Sequence, residues 1–340
     1  MWKTTFVLLV FLFFFPTFLA NEASARPKYR LKISIQPPER SLWGQTVRTI
    51  AREIEEETQG EVQLKMYAGG VQGDERTVLR KMRVGQLHGG VFLSDGLTVV
   101  CPDSLALGLP LLFKNQDEVD YALEKISPEL ESQAREKGYE ILAWPQLGFS
   151  YLFSKERIRT MDDLRGAKPW LMEKNPVGKH LFEVLRVTPV STGVANVLPA
   201  LESGLVRTVV GPPLVLIAMQ WHSRVKYRLE VNITFSVGAF VLGGKAWARL
   251  PEAHRKTIRT VFQRNNVKLN AKIRKEGLEA VEVLEKQGVE TVPIEPKSRE
   301  EYERGAEEVG KRMAGKEFSQ TILDKVQALL REYRQSAPKK

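Results

Sequence analysis

Strand and helix patterns alternate along residues 26–340, and this alternation is the strongest constraint on the fold. Residues 29–35 and 62–67 alternate apolar and polar side chains, as half-buried strands do. Residues 41–58 and 74–84 carry apolar side chains at helical spacing, behind the capping residues Ser41 and Asp74. Such alternation favours parallel sheets with helices on both faces. The sequence therefore predicts an α/β protein.

The alternation occurs in two successive runs, which predicts two lobes. Pro128 predicts the start of a helix over 128–137, and a second set of short elements follows it: strands over 149–153, 168–172, 187–190 and 206–210, with helices over 177–185 and 194–202. A chain of this length exceeds what one small core usually organises. We expect residues 26–147 and 232–277 to form lobe I, and residues 148–231 and 278–340 to form lobe II.

One helical segment is much longer than the others. Apolar residues recur at helical spacing from residue 251 to about residue 286, and Pro251 suits a first turn. This length exceeds that of a typical globular helix. We expect the helix to bridge both lobes, beside chain crossings near residues 144–149 and 231–237 that would act as a hinge.

The N-terminus has the features of a secretory signal peptide. Lys3 precedes an apolar run from Phe6 to Leu19, and Ala23-Ser24-Ala25 offers a cleavage site. The run is shorter than the roughly 20 residues that span a bilayer. We predict a signal peptide over 1–25 and an exported, periplasmic chain from Arg26. An uncleaved membrane anchor is the alternative.

Charge and cysteine content limit the partners and the redox chemistry. The net charge of +10 favours anionic partners, such as phosphates, lipid headgroups or an acidic protein face. Export and the lack of a recognition motif argue against nucleic acid. The single cysteine, Cys101, cannot form an internal disulfide, and we expect a buried, inert thiol.

The sequence contains no recognisable catalytic or metal-binding set. His88, His180, His222 and His254 lack metal-ligand spacing, and no Gly-x-Ser-x-Gly elbow is present. The glycines at 69, 70 and 73 suit a turn. We therefore predict neither enzyme activity nor a cofactor nor a bound metal.

Large rings occur at strand ends, where ligands bind in open α/β lobes. These rings are Trp43, Trp144, Phe149, Trp170 and Trp221. They predict an apolar cleft, although each ring could equally serve core packing. We complete the predicted ligand site with Ser94, Met172, Gly211 and Pro212.

The long helix carries a run of bases without an acid. These are Arg255, Lys256, Arg259, Arg264, Lys268, Lys272, Arg274 and Lys275. A solvated helix face is one interpretation. A docking strip for an acidic partner or for the anionic membrane surface is the other.

A series of short motifs resembles one family in order and spacing. The series includes Ser41-Leu42-Trp43-Gly44, Tyr67-Ala68-Gly69-Gly70, Leu109-Pro110-Leu111-Leu112-Phe113, Met161-Asp162-Asp163-Leu164-Arg165-Gly166-x-Lys168, Val197-x-x-Ala200-Leu201-x-x-Gly204 and Lys245-x-Trp247-x-x-Leu250-Pro251. Together they resemble the DctP-type solute-binding subunits of TRAP (tripartite ATP-independent periplasmic) transporters. The resemblance implies a two-lobe periplasmic solute-binding fold, type II-like, with a hinge and a long helix contacting both lobes. It also implies delivery of a small ligand to paired TRAP membrane subunits, without chemistry on the ligand.

The chain departs from that family at the residues that bind carboxylates. The family's arginine after the Arg165-Gly166-Ala167-Lys168 block falls on Trp170, and Ser150 stands where many relatives carry another arginine. Gly211-Pro212 replaces an Asn-Pro pair. An unpaired carboxylate is strongly disfavoured in an apolar site. We therefore expect a hydrophobic or amphipathic ligand, with a monocarboxylate still open.

Two other functions and one further partner stay open. The chain could be a sensor domain or hydrophobe carrier that is not coupled to a transporter, or an enzyme on a similar fold. Some branches that lack the arginine are associated with helical-repeat periplasmic proteins, so such a partner is also open.

Overall fold

The computed structural model describes residues 27–336, so the predicted signal peptide lies outside the described residues. The strands are Tyr29–Ser34 (β1), Val62–Tyr67 (β2), Gly89–Phe92 (β3), Tyr139–Ala143 (β4), Gln146–Ser154 (β5), Trp170–Met172 (β6), Val190–Thr192 (β7), Thr208–Gly211 (β8), Tyr227–Leu229 (β9), Thr234–Val237 (β10), Ala239–Gly243 (β11) and Glu290–Val292 (β12).

The α-helices alternate with these strands over most of the chain. They are Leu42–Glu57 (α1), Glu75–Arg83 (α2), Ser94–Val100 (α3), Gln116–Glu136 (α4), Met161–Gly166 (α5), Pro176–Val184 (α6), Val197–Ser203 (α7), Pro213–Ala218 (α8), Gly244–Ala248 (α9), Glu252–Lys286 (α10), Pro296–Met313 (α11) and Gln320–Ser336 (α12). Short 3₁₀ helices cover Pro102–Gly108, Val194–Asn196 and Trp221–Arg224. The predicted caps are confirmed, because the side chains of Ser41 and Asp74 accept hydrogen bonds from the first turns of α1 and α2.

Two five-stranded sheets form the centres of the lobes, and both are mixed. The first sheet has the order β2-β1-β3-β11-β4; the second has β10-β5-β9-β12, with β8 also paired to β5. β1 is parallel to β2 and β3, whereas β11 is antiparallel to β3 and β4. The prediction of purely parallel sheets was therefore wrong. β5 and β11 each begin just after the chain crosses between the lobes. Each is antiparallel to the strands beside it.

Several predicted elements differ from the structure in their bounds. The helix predicted over 128–137 begins at Gln116, capped by Asn115, and continues through Pro128. Prolines suit helix starts, so Pro128 was misread as one. The strand predicted over 149–153 begins at Gln146, and the strand predicted over 168–172 is shortened to β6, since Lys168 has a positive φ of 43°.

The long helix α10 packs into the cores of both lobes, as predicted. Its first half buries Ile258, Phe262 and Leu269 in the core of the first lobe, around β1, β2 and α1. Its last turn buries Leu284 in the core of the second lobe with Trp221 and Phe153. The helix covers 35 residues, or about 52 Å at 1.5 Å per residue.

Four of the eight bases on α10 form ion pairs within the chain. Arg259 pairs with Glu140, Arg264 with Glu53 and Glu57, Arg274 with Asp117, and Lys275 with Glu279. The pairs of Arg259, Arg264 and Arg274 attach the helix to β4, α1 and α4, whereas the Lys275–Glu279 pair lies within α10. They favour the solvated-face interpretation, and docking of a partner there stays a prediction.

Two chain crossings run side by side between the lobes. β5 pairs with β10, and Gly238 N donates to Pro145 O at 2.8 Å. Two asparagines of α10 hold the first crossing: Asn266 and Asn270 donate to Trp144 O, and Asn270 accepts from Gln146 N at 2.9 Å. The crossings and α10 are therefore connected at the predicted hinge.

The C-terminal helix α12 packs on the first lobe, although the sequence placed it in lobe II. Its Tyr333 ring lies 5.1 Å from Tyr121 of α4. Arg334 donates twice to the Glu118 carboxylate, each bond 2.8 Å, and to Leu112 O. The chain thus crosses back to the first lobe after α11, which packs on α6 of the second lobe. Sequence periodicity predicts a helix here but does not select its packing partner.

The Arg334–Glu118 pair gives a test of this packing. Glu118 is 2% exposed; burial acts to raise the pKa of its carboxyl, but Arg334 and the Lys114 N–H outweigh burial and hold the pKa below its usual value. Removing one partner of a buried pair leaves an uncompensated charge. Because Arg334 itself is one-third exposed, we expect Arg334→Met to lower the free energy of unfolding by about 2 kcal/mol.

Urea denaturation, with limited proteolysis of the C-terminus, measures this effect. Arg331→Met is the matched control, since Arg331 is on the same helix and has no ion pair within residues 27–336. Equal stability of the two variants would contradict the anchoring of α12 by Arg334.

Candidate functional site

An apolar cavity of about 290 Å³ lies between the two lobes. Its volume is near the lower end of the roughly 300–1,000 Å³ found for small-molecule pockets. The first lobe contributes Ile35 and Ser94, which follow β1 and β3, and Trp43 in the first turn of α1. The second lobe contributes Trp170, Leu171 and Met172 of β6, and the segment from Val210 to Trp221.

Seven of the nine residues predicted from the sequence line this cavity. They are Trp43, Ser94, Trp170, Met172, Gly211, Pro212 and Trp221. Strand ends position Ser94, Gly211 and Pro212 as expected for α/β lobes. A side chain at Gly211 would crowd Leu216, whose Cδ1 would lie 3.2 Å from an added Cβ. Because Gly211 has no side chain, the backbone itself forms the cavity wall at this position.

The other two predicted residues lie elsewhere. The Trp144 ring is buried with its Nε1 3.4 Å from Glu131, and its carbonyl belongs to the hinge contacts with α10. Phe149 packs edge-to-face on Phe235 at 4.9 Å, and Phe235 is the ring that lines the cavity. Phe149 is not at a strand end, because it lies inside β5, which begins at Gln146. Trp144 directly follows β4, but its ring is buried in a hydrophobic core.

Two indoles form one corner of the cavity in the second lobe. Trp170 and Trp221 lie edge-to-face with their centroids 5.2 Å apart, and both are less than a tenth exposed. Trp170 Nε1 donates to Thr192 O at 2.9 Å. The core and the cleft interpretations of these rings are therefore compatible, since each ring packs in the second core and borders the cavity.

Glu75 is the single ionisable residue among the described residues that line the cavity. It begins α2, and its carboxyl accepts from Leu93 N at 3.0 Å and from Gly96 N at 2.6 Å. Burial raises the pKa of Glu75 to about 7, and nearby Asp95 and Asp74 add to the rise, against the lowering effect of the two N–H groups. The sequence analysis did not predict Glu75 as a cavity residue. The signal that could have indicated it is its position at the start of α2, the helix that follows β2.

Most other polar groups of the lining have partners in the protein. Ser150 and Ser236 hydroxyls lie 3.1 Å apart, Thr234 donates to Gly108 O, and Ser104 donates to Cys101 O. Asn175 caps α6, and its carboxamide oxygen accepts a hydrogen bond from Gly178 N. Since no lysine, arginine or histidine of the described chain lines the cavity, an anion there would find no positive partner.

The fold is that of a known class of extracellular solute-binding protein. A family model described as "Bacterial extracellular solute-binding protein, family 7", or DctP, matches residues 33–317. The chain belongs to this family. Its members are periplasmic TRAP receptors for diverse small molecules that work with membrane subunits, and they are not enzymes. The predicted family and fold are thereby confirmed.

Individual relatives are distant in sequence and similar in fold. A solute-binding protein of Verminephrobacter eiseniae is 25% identical over 281 residues, which are 82% of this chain and 83% of the relative. A Bordetella pertussis receptor, DctP7, that binds pyroglutamic acid superposes with a TM-score of 0.82 at 16% identity, over 89% of this chain and 99% of that one. A Haemophilus influenzae TRAP protein with bound L-gulonate gives a TM-score of 0.78 at 18% identity, over 91% and 100%.

Other chemistry finds little support in the described part of the chain. Residues 27–336 contain no cluster of three or more His, Cys, Asp or Glu side chains that could hold a metal ion. None of the helices in that range combines the length and apolarity needed to cross a bilayer. Cys101 is buried, and burial raises the pKa of its thiol to about 12, as expected for an inert cysteine.

The raised pKa of Glu75 makes stability depend on pH in a defined direction. Below pH 4.5 the carboxyl is protonated in both states. As pH rises from 4.5 towards about 7, the unfolded state loses the proton first, so the folded state loses relative stability. The full loss is about 3 kcal/mol at 1.36 kcal/mol per pKa unit.

Urea unfolding of the wild type and of Glu75→Gln between pH 4.5 and pH 8 tests this prediction. We expect the wild type to lose about 3 kcal/mol relative to Glu75→Gln across this range. Glu56→Gln, which removes an exposed carboxyl from α1, is the control. Parallel pH curves for the wild type and Glu75→Gln would show that Glu75 is not held in its protonated form.

Proposed function

We propose that this chain is a TRAP solute receptor for a small apolar or amphipathic ligand, which it captures between the lobes and delivers to the membrane subunits. The observation that carries the proposal is the composition of the cavity lining, which is apolar and has no cation among the described residues. A carboxylate moved there would lose its hydration without gaining a partner. The carboxyl of Glu75 would add repulsion when ionised.

The ligands of two relatives provide a comparison for this apolar lining. The B. pertussis and H. influenzae structures hold pyroglutamic acid and L-gulonate, which are acids. Trp170 occupies the position that the family resemblance assigns to the carboxylate-binding arginine, and its indole borders the cavity here. An indole offers apolar surface and one N–H, and that N–H is already bonded to Thr192. These facts support a ligand of lower polarity than those of the relatives.

Capture requires a movement of the lobes that the hinge allows. We propose that residues 26–147 and 232–277 move against residues 148–231 and 278–319, with α12 carried by the first lobe. The ligand would favour closure because the lining comes from both lobes, and only differential contact shifts such an equilibrium. Asn266 and Asn270 join α10 to the first crossing, and Gly238 joins the two crossings, so these segments would absorb the rotation.

A carrier that is not coupled to transport is the second candidate, because the same apolar cavity would serve it. Reconstitution with the paired membrane subunits separates the two functions. Ligand uptake that depends on both the receptor and the subunits supports the transporter role. The predicted signal peptide and a helical-repeat partner remain proposals of the same kind, made from the sequence alone.

Thermal unfolding with a matched series of C8 compounds tests the ligand class. Octanol, octanoate and octanedioate share one chain length and differ in the number of carboxylates. We expect octanol to raise the melting temperature most, octanoate less, and octanedioate not at all, since stabilisation follows RT ln(1 + [L]/Kd). L-gulonate is the control for the relatives' ligand class. A larger shift with octanedioate or L-gulonate than with octanol would overturn the proposal.

A further inference from the structure

A second cavity, of about 970 Å³, lies beside the interlobe cavity. Its walls come from α11 and α12, and residues 109–114 and 228–232 complete its lining with Tyr151 of β5. We call it the α11–α12 groove. Pro110 is the one residue of the described chain that lines both cavities. The groove is therefore a separate space, and its volume is near the upper end of that of small-molecule pockets.

Arg228 is the most buried cation of this groove, with a side chain that is 11% exposed. Its guanidinium lies 4.9 Å from the centre of the Tyr151 ring. Its Nη2 donates to Thr291 Oγ1 at 2.8 Å and lies 3.5 Å from Glu285 Oε1. In the described part of the chain no acceptor engages its Nε or Nη1, and neither nitrogen is closed off from solvent. These N–H groups are therefore available to an occupant of the groove.

The groove carries charges of both signs. Glu303 and Glu307 lie one turn apart on α11, whereas Arg331 and Arg334 belong to α12. Most of the charged residues of the lining have no ion pair within residues 27–336; these are Lys114, Glu230, Arg299, Glu303, Glu307 and Arg331. The groove thus offers unpaired acids and unpaired bases to the same occupant.

We propose that the α11–α12 groove binds a small zwitterion with a carboxylate at one end and an ammonium group at the other, of the size of a short peptide. The carboxylate would accept from Arg228, and the ammonium group would lie against Glu303 and Glu307. Hydrogen bonds from arginine to a carboxylate are short and strong, and partial exclusion of water strengthens them. An anion without an ammonium group would meet the like charge of the glutamates, and a cation without a carboxylate would meet that of Arg228.

The rest of the lining suits the body of a peptide. Apolar side chains cover much of the groove, including Leu112, Val231 and Leu330. The carboxamides of Asn232 and Gln327 lie among them and can both donate and accept. A peptide has small apolar side chains and backbone N–H and C=O groups, so both kinds of surface would find partners. The interlobe cavity takes no part in this binding, so the inference goes beyond the proposed function.

Alanine peptides of two to four residues with modified ends test the inference on the wild-type protein. Amidation removes the carboxylate and N-acetylation removes the ammonium group. We expect amidation to weaken binding about tenfold, as for the loss of hydrogen bonds to a charged group. We expect acetylation to weaken it about threefold, because the glutamates are exposed and screened. Calorimetric titration gives the affinities. Equal affinity of the free and amidated peptides, or no binding by any free peptide, would overturn the inference.

Two sets of variants assign the ends of the peptide. In Arg228→Gln we expect trialanine to bind about tenfold more weakly and amidation to have no further effect. In the double variant Glu303→Gln, Glu307→Gln, acetylation should have no further effect. Retention of the full amidation effect in Arg228→Gln would contradict the assignment of the carboxylate.

Arg157→Gln is the matched control for Arg228→Gln. Arg157 also stacks on a tyrosine, Tyr227 at 5.1 Å, and pairs with Glu290, but it lies outside the lining of the groove. We expect it to leave trialanine binding unchanged. An equal loss in the two variants would show that the effect is not specific to the groove.

A further measurement does not depend on the folding of a variant. In the wild-type protein labelled with ¹⁵N-arginine, trialanine should shift the Nε–H resonance of Arg228, and its amide should not. Equal shifts with both would refute the role of Arg228. The stabilisation by octanol should be the same with and without trialanine, so failure of the peptide to bind leaves the proposed function intact, and failure of octanol leaves this inference intact.

Discussion

The cost of removing charge from water determines what the interlobe cavity can accept. Its described lining is apolar, its one ionisable residue is the buried Glu75, and it contains no cation. A buried charge without a partner is strongly disfavoured, and this cost is the physical basis of the proposal that the cavity takes an apolar or amphipathic ligand. Trp170, at the position that the family resemblance assigns to an arginine, contributes apolar surface to this lining. The proposed difference from the relatives that hold acids thus rests on the whole described lining and not on one residue.

The cavity lies between two lobes that share the long helix α10. α10 places Phe262 in one core and Leu284 in the other, so neither lobe packs fully without it. Asn266 and Asn270 connect the same helix to the first chain crossing, and Gly238 connects the two crossings. The proposed movement of the lobes would therefore concentrate at a few backbone segments, while the walls of the cavity keep their side-chain packing. Arg334 and Glu118 attach the C-terminal helix to the first lobe.

The sequence predicted the elements that local rules determine. The caps at Ser41 and Asp74, the strands β1 and β2, the length of α10 and the two-lobe fold are all confirmed. Seven cavity residues were found because β-strand ends mark the binding edge of α/β sheets. Trp144 and Phe149 were misplaced, and the packing of α12 and the antiparallel course of β11 were missed, because these depend on contacts between distant segments. Glu75 was missed because an acid at a helix start has the same pattern whether it is a cap residue or part of a cavity wall.

The central claim is that the cavity selects an uncharged, largely apolar molecule. Native mass spectrometry of the protein purified from its own periplasm, followed by denaturing extraction, identifies what the cavity retains. The account predicts a small neutral compound with a largely apolar body. Recovery of a dicarboxylate or a sugar acid at one equivalent per chain would contradict it.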